Sequence, residues 1–475
     1  MCYIVNCPLA QRRCVQIKPD KMAQKRLDYR RRITFWYMVL LLTAFLFSFD
    51  ASGYQGISHV KFWVLLGLNA AYFAAMALLT MDQFLTGQLK GCKPLALWRR
   101  TGWSQRLVFL YMGFSWLSAV CSPWWPATVL GASRLEGALS ITIYCLSFLL
   151  VSTYGQADRR LLGVLGMSVT LFCLLCLVQM AGFNPFGLYP DGYGYADAGM
   201  AYSGAYLGTI GNVDLVAAFL ALVSPILLYA LVRLPGRLKW ILLVPLALAL
   251  VVLVRMSVMA GLIGAGAGCF LSLPAAGVCG SKARRNLALL VGSTVLLGLA
   301  AMFLVDFGGE LPHQVHMLLH GKATLSFGSG RLFIWSQVLG RVPEHLLLGT
   351  GPDTMLFAQF TPFTRYAPEL GRTIVAQIDT AHNEYLNILY HQGLPALAAY
   401  LGMLAVLAVG WLHISTEDVG AAILGAGVLG YCVQAFWGIS CPLAAPFFWI
   451  VLGLLAGRVE KILTKIFRDR CAKVY

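Results

Sequence analysis

"WILLVPLALALVVLVRMSVMAGLIGAGAGCFLSLPA", residues 240–275, carries a single charged side chain, Arg255, close to its middle. How this stretch is divided decides the fold. A bilayer's hydrocarbon core is crossed by about 20 residues of helix, so a run of about 36 apolar residues overshoots one crossing even when strongly tilted. Division at Arg255 gives two crossings, 240–254 and 256–275, with the cation at their junction.

The same rule, carried outward, places ten more apolar spans at 33–49, 62–81, 107–122, 137–153, 161–181, 214–231, 287–306, 394–412, 420–438 and 441–457. Composition agrees: of 475 residues 59% are hydrophobic and 12% charged, about half the charged fraction of a soluble domain, and mean hydropathy is +0.72. The expected fold is all-α, a polytopic membrane protein of about twelve transmembrane helices. A basic tail (1–32) precedes the membrane domain (33–457) and a second basic tail (458–475) follows it.

The net charge of +16 would suit a nucleic-acid binder if it formed a patch, but it is dispersed. Basic residues gather at Arg12–Arg32, Lys90–Arg106, Arg159–Arg160, Arg233–Lys239, Lys282–Arg285 and Arg458–Lys473. Twelve crossings put all of these on one side, which the positive-inside rule makes the cytoplasm, with both termini there. Membrane orientation therefore accounts for the charge, and no nucleic-acid partner is implied.

The first apolar span follows about 32 polar residues, far more than a signal peptide's basic leader, and reads as a retained anchor. The thirteen cysteines imply no exported disulfide framework. Cys173 and Cys176 have C-x-x-C spacing inside an apolar helix and read as small packing residues.

Two outer connections are long, 182–213 and 307–393, and loops of that length in a compact domain are usually functional. The first interleaves Tyr189, Tyr193, Tyr195, Tyr202 and Tyr206 with glycines, which suits a sugar ring or an interfacial aromatic belt. The second contains "SGRLFIWSQVLGRV" with apolar residues at helical spacing, so short helices are expected in it. Arginines are disfavoured on the outer side, yet Arg255, Arg331, Arg341, Arg365 and Arg372 fall there. The last three read as solvated. Arg255, between two spans, and Arg331, after Gly-Ser-Gly at a helix start, suit a phosphate-bearing ligand, because guanidinium groups grip phosphate bidentately and helix starts favour anions.

In "DTAHNEYLNILYHQG", 379–393, a polar segment enters an apolar helix. His382 and His391 are nine positions apart, on opposite faces at 100° per residue, and no other cluster completes a zinc set. No metal or cofactor is implied. His382, flanked by Asn383 and Glu384 at the outer surface, suits a proton acceptor near pH 7, with Asp379 or Glu384 as orienters; His391 reads as structural. "GTGPD" at 349–353 is a weak nucleotide signal, with no strand before it.

Three blocks, "GTIGNVDLVAAFLALVSPI" (208–226), "GSGRLFIWSQVL" with "LLGTGPDTM" (328–355) and "AHNEYLNILYHQGLPAL" (381–397), resemble the O-antigen ligase and O-antigen polymerase-like membrane proteins over roughly 200–440. The resemblance implies a glycosyltransferase of the bacterial inner membrane. Such an enzyme moves a glycan from undecaprenyl pyrophosphate to an acceptor hydroxyl on a lipid or glycan at the outer face, without a metal. It implies His382 as the catalytic histidine and Arg331 as a pyrophosphate-binding arginine; by their own positions Arg255 is expected to reach the same pyrophosphate, and Tyr202, Tyr206 and Asn383 are expected as further substrate contacts. Two departures stand out: the middle-helix arginine is Arg255 rather than the residue after Ser257, and Asp214 stands where the family commonly has asparagine. The rival reading is a flippase-like transporter of lipid-linked glycans. It expects midplane binding groups and repeated halves, whereas here the polar residues gather in outer loops.

Overall fold

The computed structural model describes residues 21–86, 98, 101–202, 204–275, 281–325, 327–367 and 372–474. The basic residues Arg12, Arg13, Lys18 and Lys90 lie outside them. A helix occupies each of the twelve segments expected to span. These are α1 (Lys21–Leu40, continued by a π turn at Leu41–Phe45), α2 (Ile57–Leu85), α3 (Trp103–Cys121), α4 (Ala138–Tyr154), α5 (Arg159–Met180) and α6 (Val213–Arg233). Then come α7 (Leu243–Met256), α8 (Met259–Phe270), α9 (Ser281–Leu304), α10 (Phe327–Arg341, in the second long loop), α11 (Glu384–Ile414), α12 (Val419–Gln434) and α13 (Ala445–Val474). Among the described residues six helices are long and apolar enough by themselves to cross a membrane, and three more, α4, α8 and α12, are shorter apolar helices. The chain is a mostly helical membrane protein.

The run at 240–275 divides as expected. A 3-10 turn at Arg237–Leu242 leads into α7, which ends at Met256. Ser257 adopts a left-handed conformation (φ 55°), which ends α7 and starts the chain into α8.

The core forms where small residues let backbones approach, the packing mode that lipid-embedded helices favour. α8 presents Gly261, Gly264 and Gly268; a Cβ at these positions would press on Ala217 and Pro225 of α6 and on Gly430 and Gln434 of α12. α6 is consequently almost wholly buried. α3 packs along α11, and α4 along α13, where Gly453 and Gly457 meet the backbone of Phe148 and Ser152.

One set of charged partners lies at one end of the bundle. There Arg26 meets Asp82 at 2.6 Å, Arg30 donates to Tyr154, Arg458 meets Asp418 at 2.6 Å and Ser104 bonds Glu460. The opposite end carries the loops. The segment 182–213 forms a small antiparallel pair, β1 (Tyr206–Leu207) with β2 (Gly211–Asn212). The segment 307–393 holds the expected short helices, Glu310–Leu319 and α10. It also holds a hairpin that the helical reading did not foresee, β3 (Phe363–Ala367) with β4 (Arg372–Ala376).

Candidate active site

His382 sits immediately before α11, and hydrogen bonds fix the chain on both sides of it. Asn383 caps the helix, its Oδ1 accepting from the Leu386 N–H at 3.0 Å, the ordinary duty of asparagine at this position. The Glu384 N–H donates to the Ala435 carbonyl (2.9 Å). Upstream, Asn387 reaches back from the first turn: its Oδ1 accepts from the Ala381 N–H and its Nδ2 donates to Thr380, both at 2.8 Å. Trp335 of α10 donates to the Ala381 carbonyl at 2.8 Å. Held this way, His382 has φ 48°, a conformation costing a non-glycine residue roughly 1–3 kcal/mol that concentrates at functional sites.

The imidazole is partly buried, and four charges act on it. Burial lowers its pKa to about 4, Arg134 and Arg331 push the same way, and Asp214 and Asp379 oppose them. At neutral pH the ring is uncharged and able to take a proton. Neither expected orienter is arranged to hold it. Asp379 is bonded to Arg134, and Glu384 turns into the bundle to accept from Tyr400 (2.6 Å) and Tyr431 (3.2 Å).

Arg331 follows three consecutive left-handed residues, Gly328, Ser329 and Gly330. That reversal folds its guanidinium back, so that Nη1 donates to the Gly328 carbonyl (2.8 Å) and Nε to that of Trp437 (3.3 Å). Its Nη2 lies 4.0 Å from Asp214. Asp214 thus stands as the counter-charge of Arg331, at the start of the almost wholly buried α6.

The second cation is Arg134, which the reading of outer arginines passed over. It lies in the turn before α4, and Asp353 builds that turn. The carboxylate accepts from the backbone N–H of Ser133 (3.1 Å) and Arg134 (2.8 Å) and from the Ser133 hydroxyl (2.8 Å). Arg134 then reaches Asp379 at 3.0 Å. "GTGPD" is therefore a brace, seated by a break in α11. The N–H groups of Thr350 and Gly351 donate to the carbonyls of Tyr390 and His391, and the Leu394 N–H donates to Leu346. Gly393 has φ 83°, and a Cβ there would lie 2.2 Å from the Leu347 carbonyl oxygen. His391 takes part through its backbone carbonyl, which also accepts from Ser118 (2.7 Å).

Of the remaining candidates, Tyr206 is within electrostatic reach of the site: burial raises its pKa and Arg134 opposes the rise. Tyr202 packs beside it with tilted rings, 4.8 Å between centroids, in a cluster with Tyr54 and Tyr189. Arg255 is exposed in the last turn of α7. Its charge acts on Tyr195, and it is not among the main charges acting on His382. Behind the Arg134–Asp379 pair, Glu136, Tyr144 and His391 line a cavity of about 40 Å³, far below the few hundred Å³ that organic ligands occupy. A sugar must approach His382 from elsewhere. Among the described residues, no three His, Cys, Asp or Glu side chains group as metal ligands.

Neither curated proteins nor solved structures give a match to the chain. Residues 244–401, which include Arg255, Arg331, His382 and Asn383 but neither Asp214 nor Arg134, match the family model described as O-antigen ligase, and that segment is similar to the family.

Proposed function

We propose that this chain transfers a glycan from an undecaprenyl-pyrophosphate carrier to an acceptor hydroxyl at the outer face of a bacterial inner membrane, as a ligase or a polymerase. One observation carries the reading: an uncharged imidazole acted on by two guanidinium groups, each facing a carboxylate. The donor's anomeric carbon already bears its leaving group, so the protein has two tasks. It must take the acceptor's proton and hold the charge that departs.

His382 accepts the hydroxyl proton as the acceptor oxygen bonds to the anomeric carbon. The bond from that carbon to the phosphate oxygen breaks, and its electron pair leaves with undecaprenyl pyrophosphate. Attack opposite the leaving group inverts the anomeric centre. Arg331 and Arg134 stabilise the departing charge, exchanging Asp214 and Asp379 for phosphate oxygens. Arg255 stands at the rim beside Tyr195 and steers the anionic carrier inward, while Tyr202 and Tyr206 offer ring faces to the sugars. Asn383 serves this site by fixing the helix start. The reaction so written draws its charge stabilisation from guanidinium groups and uses no nucleotide.

The test is His382→Ala in purified protein with a lipid-linked glycan donor. Folded protein should lose transfer by at least about a hundredfold, the usual contribution of a positioned base; unchanged transfer would dismiss the role. Transfer by wild-type protein in detergent, where no second compartment exists, also separates this reading from a flippase.

A further inference from the structure

Away from the candidate site, α1, α5, α6, α12 and α13 enclose a cavity of about 380 Å³. Its walls are aliphatic, including Leu41, Leu162, Leu222, Val223, Ile423 and Leu454. Phe447, in ring contact with Phe219 (4.8 Å) and Phe45 (5.6 Å), lies at its deep end. The other end reaches Arg159 and Arg458, at the basic end of the bundle.

Protein interiors rarely keep voids larger than a water molecule, and an apolar hollow of about 150 Å³ already takes up small hydrocarbons. A cavity more than twice that size, in a protein surrounded by lipid, suits a hydrocarbon chain. The mouth indicates the head group. Arg458 is held by Asp418 (2.6 Å) and by the Ala157 carbonyl (3.1 Å). Asp158 is occupied in capping α5 through the N–H groups of Arg160 and Leu161. Arg159 is exposed, and no ion pair to it is found among the described residues. The mouth therefore offers a cation to an anion.

We propose that this cavity binds one acyl chain of an anionic phospholipid, whose phosphate meets Arg159. The polyprenyl carrier is the less fitting occupant, because its pyrophosphate belongs by the reading above at the opposite end and aromatic rings lie between. The cavity and the cation at its mouth stand without that reading, and the exclusion of the carrier rests on it.

Delipidated full-length protein can be titrated with phosphatidylglycerol, phosphatidylcholine or undecaprenyl phosphate and followed by native mass spectrometry and thermal unfolding. Phosphatidylglycerol should bind at one equivalent and raise Tm by several degrees more than phosphatidylcholine. Arg159→Gln should weaken it about fivefold, as expected for one basic side chain near an anionic surface. Val223→Phe, which puts a ring across the cavity, should abolish the bound equivalent; Arg159→Gln decides if that variant does not fold. Equal binding of both phospholipids, tighter binding of undecaprenyl phosphate, or full occupancy in folded Val223→Phe would overturn the assignment.

Discussion

Replacing Arg134 by glutamine tests the site at the residue that links its two halves. The guanidinium bonds Asp379 at 3.0 Å and lowers the basicity of His382, so one substitution should have two separate effects. Losing one donor to the departing charge costs about 2.7–4 kcal/mol of transition-state stabilisation, a factor of about 10²–10³ in turnover. Losing one positive charge beside the imidazole moves its pKa upward from about 4. Because the uncharged ring is the active form, wild-type transfer should fail only as pH falls through that value, and in the variant it should fail at higher pH. The assay is single-turnover transfer from a lipid-linked glycan in detergent across pH 3.5–8, with thermal unfolding as a check that Asp379, left without its partner, has not unfolded the loop. Arg134→Lys keeps the charge but not the fork, and should restore the acid limb without restoring the full rate. Turnover within threefold of wild type, or an acid limb that does not move, would refute the assignment.

Asp214→Asn should act in the opposite direction: removing a charge that supports protonation of His382 moves the acid limb to lower pH, read in the same profile. Gly393→Ala forces a side chain into a glycine-only backbone conformation against the Leu347 carbonyl. It should cost at least about 2 kcal/mol, seen as a lower unfolding midpoint and loss of transfer. Burial raises the Glu136 carboxyl pKa to about 8, so the folded chain binds a proton there that the unfolded chain releases near pH 4.5. Stability from this group is full below that pH and declines as pH rises through about 8. Glu136→Gln should flatten that part of the stability profile, measured by thermal unfolding between pH 5 and 9.

Apolar run length located the helices, since each expected span holds one, and even the turn at Ser257 fell within two residues of the expected junction. That His382 and Arg331 stand at helix starts was legible for a similar reason: polar residues there are few on the loop-bearing end. Arg134 was within reach by the same alternation that marked the other outer arginines, since it follows an odd-numbered span. It was missed because its loop is short. The Asp353 brace was hidden for a different reason. Nothing local in "GTGPD" indicates that its carboxylate will shape a turn 220 residues away, and only packing against α11 brings the two together. The β3–β4 hairpin was hidden by the helical reading of the long loop. The lesson of Asp214 is electrostatic: an unexpected anion on a sequence often has its cation far along the chain.

The seating of residues 346–353 in the break of α11 also bears on protein engineering. Arg134 comes from the first third of the chain and His382 from the last; the strap positions Arg134 through Asp353 and is itself seated in the helix that begins beside His382. A chimera that exchanged the amino-terminal helices of two such proteins would misalign base and phosphate grip unless the strap travelled with them, so recombination breakpoints should be tolerated after the strap and its helix far better than between Arg134 and Asp353.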